Sequence, residues 1–217
     1  MQNKLKLLKL YNGLMDVLGP SNWWPGETRF EICVGAVLTQ NTNWKNVEKA
    51  IYNLKQHKLL SPERMFSIEQ KHLAELIRPA GYFRVKAQRL KNFLSFLHIN
   101  YELNMDNILK QDTPGLREAL LQVKGIGPET ADSILLYALN RPVFVIDAYT
   151  KRIFDRHGLI DYVTSYSDIQ KFVMNQLPLD HAFYNEFHAL MVRAGKQWCK
   201  KSNPLCSKCP LASLLPA

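Results

Sequence analysis

The chain has 217 residues, 47% of them apolar, enough to bury one large core or two small ones. Its 28 Lys and Arg against 19 Asp and Glu leave a formal charge of +9, a field broader than small anionic metabolites require and suited to an acidic polymer. No apolar run approaches the ~20 residues that span a bilayer, and the N-terminus alternates lysines with leucines without a small-residue cleavage site, so a cytoplasmic or nucleoid-associated protein is expected.

Apolar residues recur with a period near 3.6 almost throughout, which predicts an all-α chain. In chain order the expected helices cover about 3–18, 28–40, 44–55, 62–66, 68–77, 83–97, 104–110, 114–122, 128–139, 147–157, 167–176 and 180–197. Leu90, Phe93, Leu94 and Leu97 illustrate one apolar face. Helix starts are marked by Ser61-Pro62, by Ser67 with Gln70 three residues on, and by Thr113-Pro114, and stops by Pro79, Gly158 and Pro178. Basic residues gather at Arg84, Lys86, Arg89 and Lys91, at Lys151, Arg152 and Arg156, and at Lys200 and Lys201. A solvated face explains any one of these groups as well as an anion-binding surface does.

Ser21-Asn22-Trp23-Trp24-Pro25 precedes the second helix and Trp44 follows it, so three of the four tryptophans flank one helical segment. Core packing accounts for a single tryptophan, whereas three around one hollow would make stacking walls for a flat, cationic guest. Farther along, Leu120-Leu121-Gln122-Val123-Lys124-Gly125-Ile126-Gly127-Pro128-Glu129-Thr130-Ala131 joins two helices through two glycines. Gly125 and Gly127 permit φ > 0 and close backbone approach, Ile126 plugs the groove between the helices, and the second helix offers free N–H groups to a phosphate. The plain alternative is an ordinary helical corner; read as a helix-hairpin-helix, the segment grips nucleic-acid backbone without reading bases. Twenty residues beyond Gly127, Asp147 ends an apolar run and opens a helix, whose N-terminus favours its negative charge; capping alone would also explain it. Cys199, Cys206 and Cys209 crowd into eleven residues with metal-site spacing, while Cys33 stands alone as a core residue.

Hairpin and aspartate together, Gly-Ile-Gly-Pro-Glu-Thr-Ala through Val-Ile-Asp, resemble the endonuclease III-like superfamily of helix-hairpin-helix DNA glycosylases. The likeness extends over nearly the whole chain, through the block Phe30 to Thr42 and through Gly81-Tyr82-Phe83-Arg84-Val85-Lys86-Ala87, similar to the family's DNA-intercalating loop. It implies two helical domains with a DNA-binding cleft between them: a six-helix barrel with the hairpin over 21–137, and a second domain from 1–20 and 138–217 that carries the cysteines. It further implies Asp147 as the catalytic carboxylate, Gln40 and Tyr82 as fillers of the hole left by a flipped base, and Lys124, Gly125, Ile126, Gly127 and Thr130 as DNA-binding residues. The expected partner is double-stranded DNA with a damaged base, bound by a monomer. Family members that also cut the strand use a lysine two residues after the second hairpin glycine; Glu129 stands there and cannot form an imine, so a monofunctional enzyme that leaves an abasic site is expected.

Trp-Trp-Pro and the hairpin glutamate are similar to the endonuclease III-type 3-methyladenine glycosylases. That resemblance implies Trp23, Trp24, Pro25 and Trp44 as base-pocket walls and Lys196 as a pocket lysine that the subgroup can carry carbamylated; a basic residue near a helix C-terminus is the plain alternative for Lys196. An alkylated purine is cationic and a good leaving group, and needs little acid catalysis. Two rivals stand beside this reading: a glycosylase for uracil or for mismatched thymine or adenine, and a non-catalytic helix-hairpin-helix DNA-binding protein. The three clustered cysteines are similar to the first three ligands of the family's 4Fe-4S cluster, with Leu215 where the fourth is expected. An iron-sulfur cluster, a zinc ion with His181 or His188 as fourth ligand, and no metal are all open.

Overall fold

In a computed structural model that describes residues 2–216, the chain is all-α, with no strand among the described residues. It divides into two compact units, one formed by Trp24–Arg141 and the other by the described residues on either side of that segment.

The central unit holds α2 (Arg29–Leu38), α3 (Trp44–Gln56), α4 (Pro62–Ser67), α5 (Gln70–Leu76), α6 (Phe83–Tyr101), α7 (Met105–Ile108), α8 (Thr113–Leu121) and α9 (Pro128–Ser133). Helix α2 is apolar on nearly every side and buries Phe30, Cys33, Val34, Val37 and Leu38, so it forms the middle of this unit. Thr28 caps its start by accepting the Glu31 N–H. The 90–94–97 stripe of α6 continues at helical spacing to Tyr101, which is also buried, and carries the helix four residues past the expected end. Two expected starts are displaced. Asp112 rather than Thr113 caps α8, accepting the Gly115 N–H at 2.7 Å, because a carboxylate competes well for that position. Ser67 ends α4, donating to the Arg64 carbonyl, and α5 begins at Gln70 without a side-chain cap.

The helix expected over 128–139 is continuous but widens into a π-helical turn over Ile134–Ala138, where the Leu139 N–H donates to the Ile134 carbonyl. All five residues of that turn are buried. A bidentate ion pair clasps α8 to α9: Arg117 Nε and Nη2 donate to Asp132 Oδ1 and Oδ2 at 2.6 and 3.0 Å.

The flanking unit is built from α1 (Gln2–Leu18), α10 (Ala148–Arg156), α11 (Tyr166–Gln176) and α12 (His181–Gln197). Its core is aromatic: the Phe144 ring meets Tyr184 and Phe187 edge-on at 5.4 and 5.6 Å. Residues 143–146 are buried but belong to no helix or strand. Side chains satisfy their backbone instead: Gln170 Nε2 donates to the Phe144 carbonyl at 2.7 Å, and the Ile146 N–H donates to Tyr166 Oη at 3.4 Å. This fixed segment delivers Asp147 to the start of α10.

His157, at the end of α10, is 4% exposed, and burial is the main cause that holds its imidazole below the ordinary 6.5. The unfolded chain therefore takes up this proton first as the pH falls, so the contribution to stability is complete above about 6.5 and is lost below it. Replacing His157 by Gln is expected to flatten the fall in urea midpoint between neutral pH and about pH 5; an unchanged slope would remove His157 from the acid transition.

Candidate active site

The hairpin lies between α8 and α9. Gly125 takes φ +97°, and a Cβ there would come within 3.0 Å of the Arg89 side chain, so this position requires glycine. Gly127 differs from expectation: its φ of −94° and ψ of 179° are extended, and a Cβ on it would meet nothing within 4 Å. What it leaves is open space at the first turn of α9, beside Pro128. Ile126 is 3% exposed, while Lys124 and Glu129 are exposed.

Gln40 follows α2 and is bound into the hairpin. Its Nε2 donates to the Gly125 carbonyl at 3.1 Å and to Thr130 Oγ1 at 2.8 Å, and its Oε1 accepts from Arg89 Nη1. Arg89 thus lies against Gly125 and bonds Gln40, a role that its place in a basic cluster does not signal. Tyr82 is 72% exposed and takes φ +46° at the start of α6. Beneath both turns lies Lys86, 1% exposed, whose ammonium donates to the Leu38 carbonyl at 2.9 Å and to the Ala80 carbonyl at 2.7 Å. Burial pushes this amine down to about 8. Lys86 therefore ties the turn that carries Gln40 to the turn that carries Tyr82, a role its place in a charge cluster did not signal.

Trp24 and Trp44 meet edge to face at 5.1 Å, and Trp24 also packs on Tyr137 of the π-helical turn at 4.9 Å. Gly35 of α2 makes room for the Trp24 indole, whose Nε1 would lie 3.2 Å from a Cβ at that position. A hollow of about 260 Å³ opens beside these rings, with Trp24, Pro25, Gly35, Trp44, Glu48 and Tyr52 in its wall. Glu31, also in the wall, is 6% exposed and pairs with Lys55 at 3.0 Å. Three of the expected pocket residues thus share one hollow of the central unit. Trp23, half-buried, and Lys196, exposed at the end of α12, belong to the flanking unit.

Asp147 also lies in the flanking unit, at the N-cap of α10, where its Oδ1 accepts the Thr150 N–H at 2.7 Å. Its Oδ2 faces His188 Nε2 of α12 at 3.7 Å. Burial pushes the His188 imidazole below its ordinary value, with the Asp147 charge acting in the opposite direction.

The metal expectation is corrected by the structure. Among the described residues, no group of three or more His, Cys, Asp or Glu is placed to hold a metal ion. Cys199, Cys206 and Cys209 border an apolar hollow with Ile153, Ala194, Trp198 and Leu215, and its volume of about 20 Å³ has room for little more than one water. The Cys199 sulfur accepts from Arg156 Nη1 at 3.2 Å, and burial raises the Cys209 thiol, opposing the thiolate a ligand must supply. His181 is exposed and His188 is turned to Asp147, so neither completes a zinc site. The residues present do not fit an iron-sulfur cluster: Leu215 stands at the fourth position, the hollow beside the sulfurs is too small, and the three cysteines are not grouped to hold a metal.

Hairpin, aspartate and helical frame together define a superfamily. Residues 34–178 match the HhH-GPD superfamily of base excision DNA repair proteins, and the chain belongs to it, a superfamily of DNA glycosylases. The chain is 49% identical over 213 residues to a Methanocaldococcus jannaschii protein whose name proposes a DNA repair glycosylase, covering 97% of this chain and 96% of that one. It is 27% identical to Endonuclease III of Sulfolobus acidocaldarius, over 87% of this chain and 83% of that one. Among solved structures, the H. pylori 3-methyladenine DNA glycosylase bound to 1,N6-ethenoadenine superimposes with a TM-score of 0.76 at 31% identity, covering 90% and 97% of the two chains. No helix among the described residues is long and apolar enough to cross a membrane.

Proposed function

We propose that this base-excision glycosylase removes alkylated purines of the 3-methyladenine type from double-stranded DNA by hydrolysis alone. The observation that carries the substrate reading is the hollow beside Trp24 and Trp44, whose aromatic walls and the Glu48 carboxylate suit a flat cation. The likeness to the H. pylori enzyme supports it. In the reaction, Asp147 stabilises the oxocarbenium-like sugar that forms as the C1′–N bond breaks and its electron pair leaves with the base. Water forms the new C1′–O bond, and its proton passes to the carboxylate. Glu129, where a strand-cutting relative carries its lysine, offers no amine for a Schiff base, so the product is an intact strand with an abasic site.

A second reading, a glycosylase for another base, is favoured by the likeness to Endonuclease III at similar coverage, and the relatives weigh toward it at least as heavily. Substitution of Trp24 by Leu separates the two. Release of a cationic alkylated purine is expected to fall at least ~10-fold relative to release of any neutral base; an equal loss for both would favour the second reading.

The two hairpin glycines are expected to differ. Gly125→Ala strains the backbone and displaces Arg89, lowering stability by about 1–3 kcal/mol. Gly127→Ala leaves stability within ~0.5 kcal/mol but fills the space where a phosphate would approach, weakening duplex binding several-fold in an anisotropy titration. Normal binding by Gly127→Ala would move the phosphate site elsewhere.

A further inference from the structure

Deepening the reading of Asp147 as the catalytic carboxylate, and resting on it, we infer that His188 is the positioning residue that sets the reactive oxygen of Asp147. The two carboxylate oxygens have different partners. Oδ1 is committed to the Thr150 N–H at 2.7 Å, which closes the first turn of α10. That single bond leaves Oδ2 free to swing about it, and Oδ2 is the oxygen that faces the imidazole of His188 at 3.7 Å. Side-chain exposures of 7% for His188 and 12% for Asp147 place this contact where little water competes. In the tautomer that carries its proton on Nε2, the ring directs an N–H at Oδ2. The distance is that of an electrostatic contact, of the kind that tightens when substrate loads the site.

Helix capping needs only Thr150, so the imidazole is not explained by the fold of α10. The face of α12 that bears it makes a second contact with the same stretch. Gly195 lies seven residues, two helical turns, beyond His188 on that face. A Cβ at Gly195 would come within 3.0 Å of the Tyr149 side chain, which sits directly against it. Helix α12 therefore registers α10 at two points, through Gly195 against Tyr149 and through His188 against Asp147. The first sets where the helix start lies, and the second sets the direction of the carboxylate.

The test uses the whole chain. Base release is followed in single turnovers with a duplex carrying 3-methyladenine, and duplex affinity is followed by anisotropy, for wild type, His188→Leu and His188→Gln. The expected result is a rate about 10- to 100-fold lower for Leu at unchanged affinity and thermal midpoint, with Gln, which restores an N–H donor, within about threefold of wild type. A Leu variant at full rate, or a Gln variant as slow as Leu, overturns the inference while leaving the Asp147 reading intact. A wild type that releases no base overturns both. One readout is independent of turnover: the imidazole titration of His188 by NMR is expected to move to lower pH in Asp147→Asn and to stay in place in Asp161→Asn. A His188 titration that is the same in both variants and wild type overturns the inference even if His188→Leu does not fold.

Discussion

Asp147→Asn is expected to bind duplex DNA and unfold like the wild type while its rate of base release falls by about 10²- to 10⁴-fold. Asparagine caps a helix as well as aspartate, so the bond from the Thr150 N–H to Oδ1, 2.7 Å in the native chain, is retained and α10 keeps its start. In the proposed reaction, the substitution removes the negative charge that stabilises the sugar and the acceptor for the water proton. Single-turnover release and duplex anisotropy on the same preparations separate the two properties. Asp147→Ala would confuse them, because loss of the cap costs about 1 kcal/mol in addition. Release by Asp147→Asn at the wild-type rate would remove the carboxylate from the chemistry.

The second large effect is on stability. Asp132→Asn is expected to lower the unfolding free energy by about 3 kcal/mol, the lower end of the range for breaking a buried ion pair. Asp132 is fully buried and receives both Arg117 bonds, at 2.6 and 3.0 Å, whereas Arg117 is 28% exposed and can rehydrate in part. The amide replaces one acceptor oxygen by a donor that faces the guanidinium. Since α8 and α9 are the two helices of the hairpin, duplex affinity is expected to fall with stability. A lower urea midpoint at unchanged slope is the signature; a loss under ~1 kcal/mol would show that the pair adds little beyond packing.

Much of the fold is legible in the chain because helices declare themselves through local period and capping chemistry. The stripe of α6 and the glycine at 125 are read directly from neighbours in sequence. Local pattern does not suffice where two signals compete, as Asp112 and Thr113 do for one cap, or where packing decides, as in the π-helical turn at Ile134–Ala138. The two hairpin glycines read alike in sequence, but Gly127 is extended and has open space beside it. Arg89, Lys86 and His188 reach their partners across separate helices, so no local pattern could mark them as supports of Gln40, of the two turns or of Asp147. The cysteines are the reverse case. Their spacing imitates a ligand set, but spacing carries no information about the room beside the sulfurs, a hollow of only about 20 Å³.

The most direct measurement incubates the wild-type protein with matched duplexes carrying 3-methyladenine, uracil or a mismatch, and scores released base together with strand breakage before and after alkali. Release of 3-methyladenine, with strands cut only after alkali, is the predicted result. Release of a neutral base in preference to it, or strand scission without alkali, would contradict the account.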